Sequence, residues 1–198
     1  MPVFRFCLVA AALLALGLAA CDVDNASPPP IANSPVSALT ATPAPEDATA
    51  CARPYPSGTP TVETVFCADP ATMLRAPVIR IVDGDTIHVE IDGTDETVRF
   101  YGIDTAERGQ PCFAEASDRV RDLAGAAVLL RSDARDEDRY QRLLRYVYTS
   151  NGLSIDATLI SEGLARAWTD DGALREPMIA LEATARAMRL GCLWSPAR

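Results

Sequence analysis

Short runs of alternating apolar and polar residues mark the beginning of the folded part of this chain. The alternation predicts three consecutive strands, at residues 78–82, 86–91 and 97–103. Between the second and third strands lies Asp92-Gly93, a pair typical of tight hairpin turns. In the third strand we expect Val98 and Phe100 to face the interior, with Arg99 and Tyr101 on the opposite face. The pattern therefore predicts a domain that begins with a three-stranded meander.

Helical spacing replaces this alternation beyond residue 112. Apolar residues recur every three or four positions in three stretches: Phe113, Ala116, Val120 and Leu123; Leu153, Ala157, Ile160 and Leu164; Met178, Leu181, Ala185 and Met188. The predicted helix ends are Gly125, Gly163 and Gly191. Two further apolar runs, at 127–131 and 143–148, predict strands. Periodicity alone supports a small α+β domain. The order of five short strands with interspersed helices suits one such fold, a five-stranded OB-fold β-barrel capped by about three α-helices.

The N-terminal residues predict export and a lipid anchor. Arg5 precedes an apolar run, and residues 1–20 have the pattern of a signal peptide. Residues 18–21 resemble the bacterial lipobox, in which the chain is cut before the cysteine and the cysteine is acylated, so Cys21 is the candidate lipidation site. Several acyl chains give stable membrane anchoring where one is marginal. An ordinary signal peptide cut elsewhere is the alternative.

A tether and a short connecting segment are expected between the anchor and the domain. Residues 21–60 are rich in Pro, Ala, Ser and Thr and lack a hydrophobic period, which predicts a disordered spacer. Residues 61–76 form a cysteine-containing segment before the domain, which we place at 77–196. The domain is therefore expected to be extracytoplasmic and held at the cell membrane by its lipid.

Charge and histidine content limit the chemistry of the domain. The formal net charge is −9, all 18 basic residues are arginines, and His88 is the single histidine. A zinc site with several histidines is thus excluded, and an acidic chain has no general affinity for nucleic acid. Any binding of phosphates must come from positive charge concentrated at one site.

The cysteines agree with an oxidising compartment. Cys51, Cys67, Cys112 and Cys192 remain once the signal peptide and the candidate lipidation site are set aside, and three pairings are possible. We favour Cys51–Cys67, which closes a short loop, and Cys112–Cys192, which ties the end of the domain to its first helix.

Acidic residues at the ends of two predicted strands indicate a site for a hard cation. Asp85 follows a turn and Asp104 ends a strand, and such ends converge in a tight meander. Carboxylate oxygens suit Ca²⁺ or Mg²⁺ rather than zinc. The strand that delivers Asp104 also carries Arg99, whose guanidinium can bind two phosphate oxygens. Glu107 lies three residues further on, within reach of a water beside the metal.

Three stretches resemble the staphylococcal-nuclease (thermonuclease) family: residues 82–86, 98–107 and 138–144, with a similar ending at 191–194. Their order and separations match over about 120 residues. The sequence departs from the family at Ala106, where Pro is frequent, at Gln141, where Gly is usual, and at Cys192, which is inserted. A Gly at position 141 would serve a special backbone conformation.

The resemblance implies a calcium-dependent endonuclease that cleaves DNA or RNA to 3′-phosphate products. The implied calcium ligands are Asp85, Asp104 and the carbonyl of Thr105. The implied catalytic residues are Glu107, as general base or water-positioning group, and Arg99 and Arg142, as phosphate contacts. The partners expected are nucleic acid as substrate and the membrane through the anchor, with the protein a monomer.

A binding module is the alternative: the same barrel, catalytically weak or inactive, holding a ligand or partner. The individual residues also have ordinary structural interpretations. In those interpretations Asp85 and Asp104 are turn residues, and Arg99, Arg142 and Glu107 are solvated surface residues. Tyr140 and Trp168 could stack on a base, but we favour packed aromatic side chains for this pair. The acidic run at 133–138 is interpreted as a solvated loop.

Overall fold

The computed structural model describes Cys51 and residues 65–195. The candidate lipidation site Cys21, the signal peptide and most of the tether lie outside these residues. The structure contains these elements: β1 (Leu74–Ile81), β2 (Thr86–Ile91), β3 (Thr94–Phe100), β4 (Ile103–Thr105), α1 (Phe113–Ala124), β5 (Ala127–Arg131), β6 (Leu143–Tyr148), α2 (Ile155–Ser161), β7 (Ala165–Ala167), α3 (Arg175–Ala187) and α4 (Gly191–Trp194). No helix in this described part is long and apolar enough to cross a membrane.

Five strands form a closed barrel in the order β1-β2-β3-β6-β5, so the predicted fold class is confirmed. All neighbours are antiparallel except β3 and β6, which pair in parallel, with Arg99 opposite Leu144. Ile87, Val89, Val98 and Phe100 point inward and are buried, as their alternation predicts. Closure leaves no unpaired edge in the barrel sheet.

Strand β1 pairs with two neighbouring strands, and it begins earlier in the sequence than its apolar run indicates. Residues 74–77 pair with β5, and residues 78–81 pair with β2 after a register shift between Val78 and Arg80. Pro77 lies where the strand changes partner, a position that tolerates a residue without an N–H group. Val65 and Phe66, which precede this strand, are also buried in the core.

A second, two-stranded sheet was not predicted. The third predicted strand ends at Phe100, and the chain then turns so that β4 pairs with β7, with Asp104 opposite Arg166. The turn buries Tyr101, whose ring stacks on Tyr146 at 5.3 Å between centroids. Our expectation that Tyr101 shares the polar face of Arg99 was therefore wrong.

The three predicted helices are present, and α2 is the most buried of them. Six of its seven residues, Ile155 to Ile160, are buried. Its predicted end at Gly163 is a backbone turn with φ of 70°. The last predicted helix is shorter than expected: α3 ends at Ala187, Arg189 adopts a φ of 55°, and Gly191 instead begins α4. Met188 is accordingly 51% exposed rather than part of the core.

Both favoured disulfide pairings are present. Cys51 is bonded to Cys67, with 5.3 Å between their Cα atoms, and Cys112 is bonded to Cys192, with 5.5 Å. The first bond attaches residue 51 to the core segment that contains Val65 and Phe66. The second crosses 80 positions of sequence and joins the start of α1 to α4.

A buried carboxyl group connects α2 to the barrel. Asp156 Oδ1 accepts the N–H of Gly102 at 3.3 Å, and Oδ2 accepts the N–H of Val147 at 2.9 Å. Complete burial raises the pKa of Asp156 to about 7, although the two N–H groups and the charge of Arg99 act against the shift. Since Gly102 precedes β4 by one residue, Asp156 fixes the approach to that strand.

We expect Asp156→Asn to gain stability relative to the parent as the pH rises. The pKa of this carboxyl is 3.8 in the unfolded chain and about 7 in the fold. Its contribution to the free energy of unfolding is therefore complete at low pH and is lost as the pH rises through about 7. The parent's free energy of unfolding should fall by about 1.4 kcal/mol per pH unit between roughly pH 5 and 7 from this group. Denaturant unfolding at several pH values, with Asp122→Asn as a surface control, measures the effect. A parent-to-variant difference that stays constant with pH would contradict it.

Candidate active site

The site begins at the Asp83-Gly84 turn, where β1 leads into β2. Gly84 is required there because a Cβ atom would lie 2.7 Å from the Cβ of Ala116 and 2.9 Å from Thr105 Oγ1. This close approach places Asp85 beside β4. Its Oδ2 accepts the N–H of Thr105 at 2.9 Å and the Thr105 hydroxyl at 2.8 Å, while Oδ1 accepts the hydroxyl of Thr86 at 3.0 Å.

Arg99 brings the two predicted calcium-binding carboxylates together. Its Nη2 lies 3.0 Å from Asp104 Oδ1 and 3.3 Å from Asp85 Oδ2. Its Nη1 donates to the carbonyl oxygens of Phe100, at 2.9 Å, and Ile103, at 2.8 Å. The side chains of Arg99 and Asp85 are largely buried, whereas that of Asp104 is half exposed. The guanidinium is therefore held by the backbone while one nitrogen faces both acids.

The acidic groups at this point repel one another. Burial is the main cause that raises the pKa of Asp104, and the Asp85 carboxylate adds to it while Arg99 opposes it. Burial and Asp85 also raise the pKa of Asp83. A divalent cation would relieve this crowding, and the donors available are hard oxygens, which fit Ca²⁺. Across Cys51 and residues 65–195, no three or more His, Cys, Asp or Glu side chains are grouped as metal ligands. The implied set, however, needs only two carboxylates and the Thr105 carbonyl.

Arg142 reaches the same region from the loop before β6. Asp138 accepts the Arg142 backbone N–H at 3.0 Å and its Nε at 2.8 Å. Burial acts to raise the pKa of Asp138, but these bonds outweigh it and hold that pKa below its ordinary value. The Nη1 of Arg142 lies 3.5 Å from the hydroxyl of Thr86. The bond from Nε to Asp138 thus fixes the Arg142 side chain, and its terminal nitrogens extend toward Thr86, the residue next to Asp85.

Gln141 adopts the special backbone conformation that a glycine would serve. Its φ is 64°, in the left-handed region, and its side chain is exposed. A left-handed residue here lets the N–H groups of both Tyr140 and Arg142 bond to Asp138 Oδ1. Gln141 therefore supplies the left-handed backbone without being a glycine, and Asp138 holds both of its neighbours.

Glu107 lies two residues beyond β4 in an exposed turn. Its N–H donates to the side-chain oxygen of Gln110 at 3.0 Å, and its carbonyl accepts the Gln110 N–H at 2.9 Å. Among the described residues, no side chain pairs with the Glu107 carboxylate. The structure therefore gathers Asp85, Arg99, Asp104 and Thr105 by direct contact, whereas it places Glu107 near them only through the backbone.

A cleft of about 370 Å³ opens beside Arg99. Four arginines and four aromatic residues contribute to its lining: Arg99, Arg135, Arg139, Arg142, Phe100, Tyr101, Tyr140 and Trp168. Sequence reasoning missed Arg135 and Arg139. Arg135 lies within the acidic run that we interpreted as a solvated loop, and Arg139 directly follows that run. Four of the 18 arginines of this acidic chain therefore lie at one opening.

The loop from 133 to 142 is more ordered than a solvated loop. Asp133 accepts the hydroxyl of Tyr146 at 3.0 Å and the N–H of Ala173 at 2.6 Å, while Asp136 pairs with Arg145 at 2.8 Å. Our interpretation of this run as a solvated loop was therefore wrong for Asp133, whereas Asp136 forms its ion pair while largely exposed. They attach the loop to β6 and to the segment before α3, which together border the cleft.

The aromatic residues of the cleft have different environments. Tyr140 is 63% exposed, with the guanidinium groups of Arg139 and Arg142 at 4.7 and 5.6 Å from its ring centre. The packed interpretation of Tyr140 was therefore wrong. Trp168 is half-buried, and its indole N–H donates to Asp171 at 2.9 Å. This bond fixes the orientation of the Trp168 ring at the side of the cleft.

Comparison with known proteins agrees with this geometry. Residues 97–196, about half of the chain, match the family model described as "Staphylococcal nuclease homologue". The chain belongs to the staphylococcal nuclease family. The match runs from the middle of β3 to beyond α4 and includes five of the six residues implied in calcium binding and catalysis. Asp85 lies before it, joined to it by the contacts with Thr105 and Arg99.

Two of three similar proteins bear nuclease names. Thermonuclease of Staphylococcus hyicus is 42% identical over 97 residues, which cover 46% of this chain and 57% of that protein. Protein ParB of Escherichia coli is 37% identical over 62% of this chain and 73% of its own length. Micrococcal nuclease of Shigella flexneri is 35% identical over 61% and 74% respectively. The chain thus spans little more than half of the first of these family members and about three quarters of the other two.

Proposed function

We propose that this chain is a calcium-dependent endonuclease that hydrolyses DNA or RNA and leaves 3′-phosphate ends. The observation that carries the proposal is the position of Arg99, which lies between Asp85 and Asp104 and also lines the arginine-rich cleft. One residue thereby joins a cation-binding group to a phosphate-binding surface. The thermonuclease and micrococcal nuclease named above are family members with nuclease names, which supports the same reaction.

The arginines bind the phosphate that is attacked. Two of the N–H groups of Arg99 are used by carbonyl oxygens, so its guanidinium is fixed before substrate arrives. Arg142 is fixed in the same way through Asp138. Donors that are already oriented stabilise the charge of the transition state without reorganising. In this proposal the two arginines contact phosphate oxygens, and each stays charged at any physiological pH.

Glu107 accepts or orients the proton of the attacking water. Its carboxylate is exposed and pairs with no side chain in the described part of the structure, so it is available to a water molecule. Bound by Asp85, Asp104 and the Thr105 carbonyl, Ca²⁺ would add a positive charge that polarises the phosphate.

The dimensions of the cleft favour a single-stranded or locally opened substrate. A volume of about 370 Å³ suits one nucleotide rather than a duplex. Trp168 and Tyr140 offer faces on which a base can stack, an interaction that tolerates any sequence.

We also propose that the protein is exported and anchored by a lipid on Cys21. The support is the lipobox-like sequence at 18–21 and the two disulfides, which form and persist in oxidising compartments. The nuclease domain would then act outside the cytoplasm, on nucleic acid near the membrane surface.

Removal of calcium is expected to abolish cleavage of a single-stranded oligonucleotide, and added Ca²⁺ should restore it. Asp104→Asn removes one carboxylate ligand, so the Ca²⁺ concentration for half-maximal activity should rise at least about tenfold. Asp122→Asn, which removes an exposed carboxylate on α1, is the matched control and should behave as the parent. Full activity in EGTA would refute the metal site.

Substitution of the two main catalytic candidates should separate an enzyme from a binding module. Glu107→Gln should lower kcat by roughly 10²–10⁴ because it removes the proton acceptor. Arg99→Lys keeps the charge but loses the planar fork, and it should lower kcat and weaken binding of the oligonucleotide. Glu115→Gln and Arg131→Lys are matched surface controls. A parent without turnover would support the binding module, and turnover unchanged by Glu107→Gln would assign the hydrolysis to another group.

Replacement of Cys21 tests the anchor. Cys21→Ser should leave the protein unprocessed or release it from the membrane fraction, because the acyl chains supply the membrane affinity. Fractionation and intact mass of the parent and variant measure both effects. Equal masses of the processed chains and unchanged fractionation would show that Cys21 carries no lipid.

A further inference from the structure

The position of Glu107 depends on a turn that has little side-chain support. Residues 106–111 are all partly or fully exposed, and no side chain in the described part pairs with the Glu107 carboxylate. Within the turn, only the two hydrogen bonds between Glu107 and Gln110 restrain its conformation. At one end the turn follows β4. Its other end must be fixed by Cys112, the residue that precedes α1.

Cys112 is held in a conformation that it would not adopt freely. Its φ is 76°, in the left-handed region that disfavours a side chain, and no side-chain hydrogen bond caps the helix that follows. Such a conformation persists only where the surroundings enforce it. The residue is buried, and its sulfur is bonded to Cys192.

Cys192 belongs to α4, which packs directly against the end of α2. The Leu193 N–H donates to the Gly163 carbonyl at 3.2 Å, and a Cβ on Gly191 would lie 2.2 Å from the Glu162 carbonyl oxygen. This direct backbone contact seats α4 on the end of α2, the most buried helix. The ring of Trp194 also lies against the guanidinium groups of Arg166 and Arg186.

Helix α1 has an attachment of its own at the same place. Arg119 forms two parallel bonds with Glu162, from Nε to Oε2 at 2.8 Å and from Nη2 to Oε1 at 2.6 Å. Val120 and Ala116 bury its inner face. The helix therefore has an attachment that does not involve the disulfide. Apart from Cys112, the turn is joined to the helix, among the described residues, only through Phe113, whose N–H donates to the Gln110 carbonyl at 3.4 Å and whose ring centre lies 5.2 Å from the Arg108 guanidinium.

We propose that the Cys112–Cys192 disulfide is a positioning element for Glu107. It enforces the left-handed backbone at Cys112 and thereby fixes the end of the Glu107 turn against α4. The inference rests on the catalytic role proposed for Glu107, and it assigns a purpose beyond stability to this bond. The Cys51–Cys67 bond, which attaches a segment far from the turn in sequence, has no such role.

The test compares two double variants of the full chain with the parent. Cys112→Ser/Cys192→Ser should lower kcat by about tenfold or more, because a displacement of 1 Å in a catalytic group can cost on the order of 10² in rate. KM should stay within about twofold, because the cleft is built from other segments. Cys51→Ser/Cys67→Ser is the matched control and should retain the kcat of the parent.

A double-mutant cycle with Glu107→Gln distinguishes positioning from general stability. In the parent, Glu107→Gln removes a correctly placed carboxylate and has its full effect. In Cys112→Ser/Cys192→Ser the carboxylate is already displaced, so the same substitution should cost at least about fivefold less in kcat, a coupling that independent sites do not show. Equal effects in both backgrounds would overturn the proposal.

Two further measurements cover the possibility that the variant unfolds. Glu162→Gln loosens α1 without touching the turn, so it should lower the melting temperature and leave kcat unchanged. In the Cys51→Ser/Cys67→Ser chain, a small dithiol can donate two electrons and two protons to the Cys112–Cys192 bond, giving two thiols and a cyclic disulfide. Turnover should fall, and an excess of a small disulfide should restore it. Unchanged kcat after reduction would mean that the bond only stabilises.

These outcomes are separate from a failure of the proposed function. A parent without calcium-dependent turnover would reject the nuclease and, with it, the role of Glu107. An active parent that loses activity in Glu107→Gln but not in Cys112→Ser/Cys192→Ser would keep the nuclease and reject the positioning role of the disulfide alone.

Discussion

The carboxylate of Asp85 is the group on which the rest of the site depends. Its two oxygens accept three hydrogen bonds, from Thr86 on its own strand and from the N–H and hydroxyl of Thr105 on β4. It also faces Arg99 at the end of β3. Three separate strand ends are thus joined by one buried ion. Because a buried charge is costly unless it is bonded and paired, the fold has a strong energetic reason to bring these strands together.

This arrangement explains how an acidic protein can present a local positive surface. Asp85 and Asp104 face Arg99, and Asp138 fixes Arg142 through its Nε. The lining of the cleft itself contains four arginines and one acid, Asp138. Asp138 binds Arg142 through Nε, so this acid fixes the side chain and leaves its terminal nitrogens to reach a phosphate. An immobilised guanidinium loses less conformational entropy on binding than a free one.

Much of the fold could be predicted because the barrel strands carry a clear period of two. Ile87, Val89, Val98 and Phe100 show it, and their inward orientation follows from it. The strands β4 and β7 could not be found in this way, because each has only three residues and their pairing is set by distant contacts. Asp85, Asp104 and Arg99 are brought together as their positions at strand ends suggest. Arg135 and Arg139 were missed because the shape of a loop depends on partners elsewhere in sequence, such as Tyr146 and Asp171.

The parallel pairing of β3 with β6 determines when the site can exist during folding. Arg99 and Leu144 are opposite one another in this pair, although more than forty residues of sequence separate them. Closing so large a loop costs more chain entropy than closing the local hairpin β2–β3, so we expect the hairpin to form first. A chain that has made its hairpins but not this pairing has Arg99 without Arg142 beside it. The cleavage proposed above would therefore begin only once the barrel is complete, and closure of the barrel would itself control when the site can act.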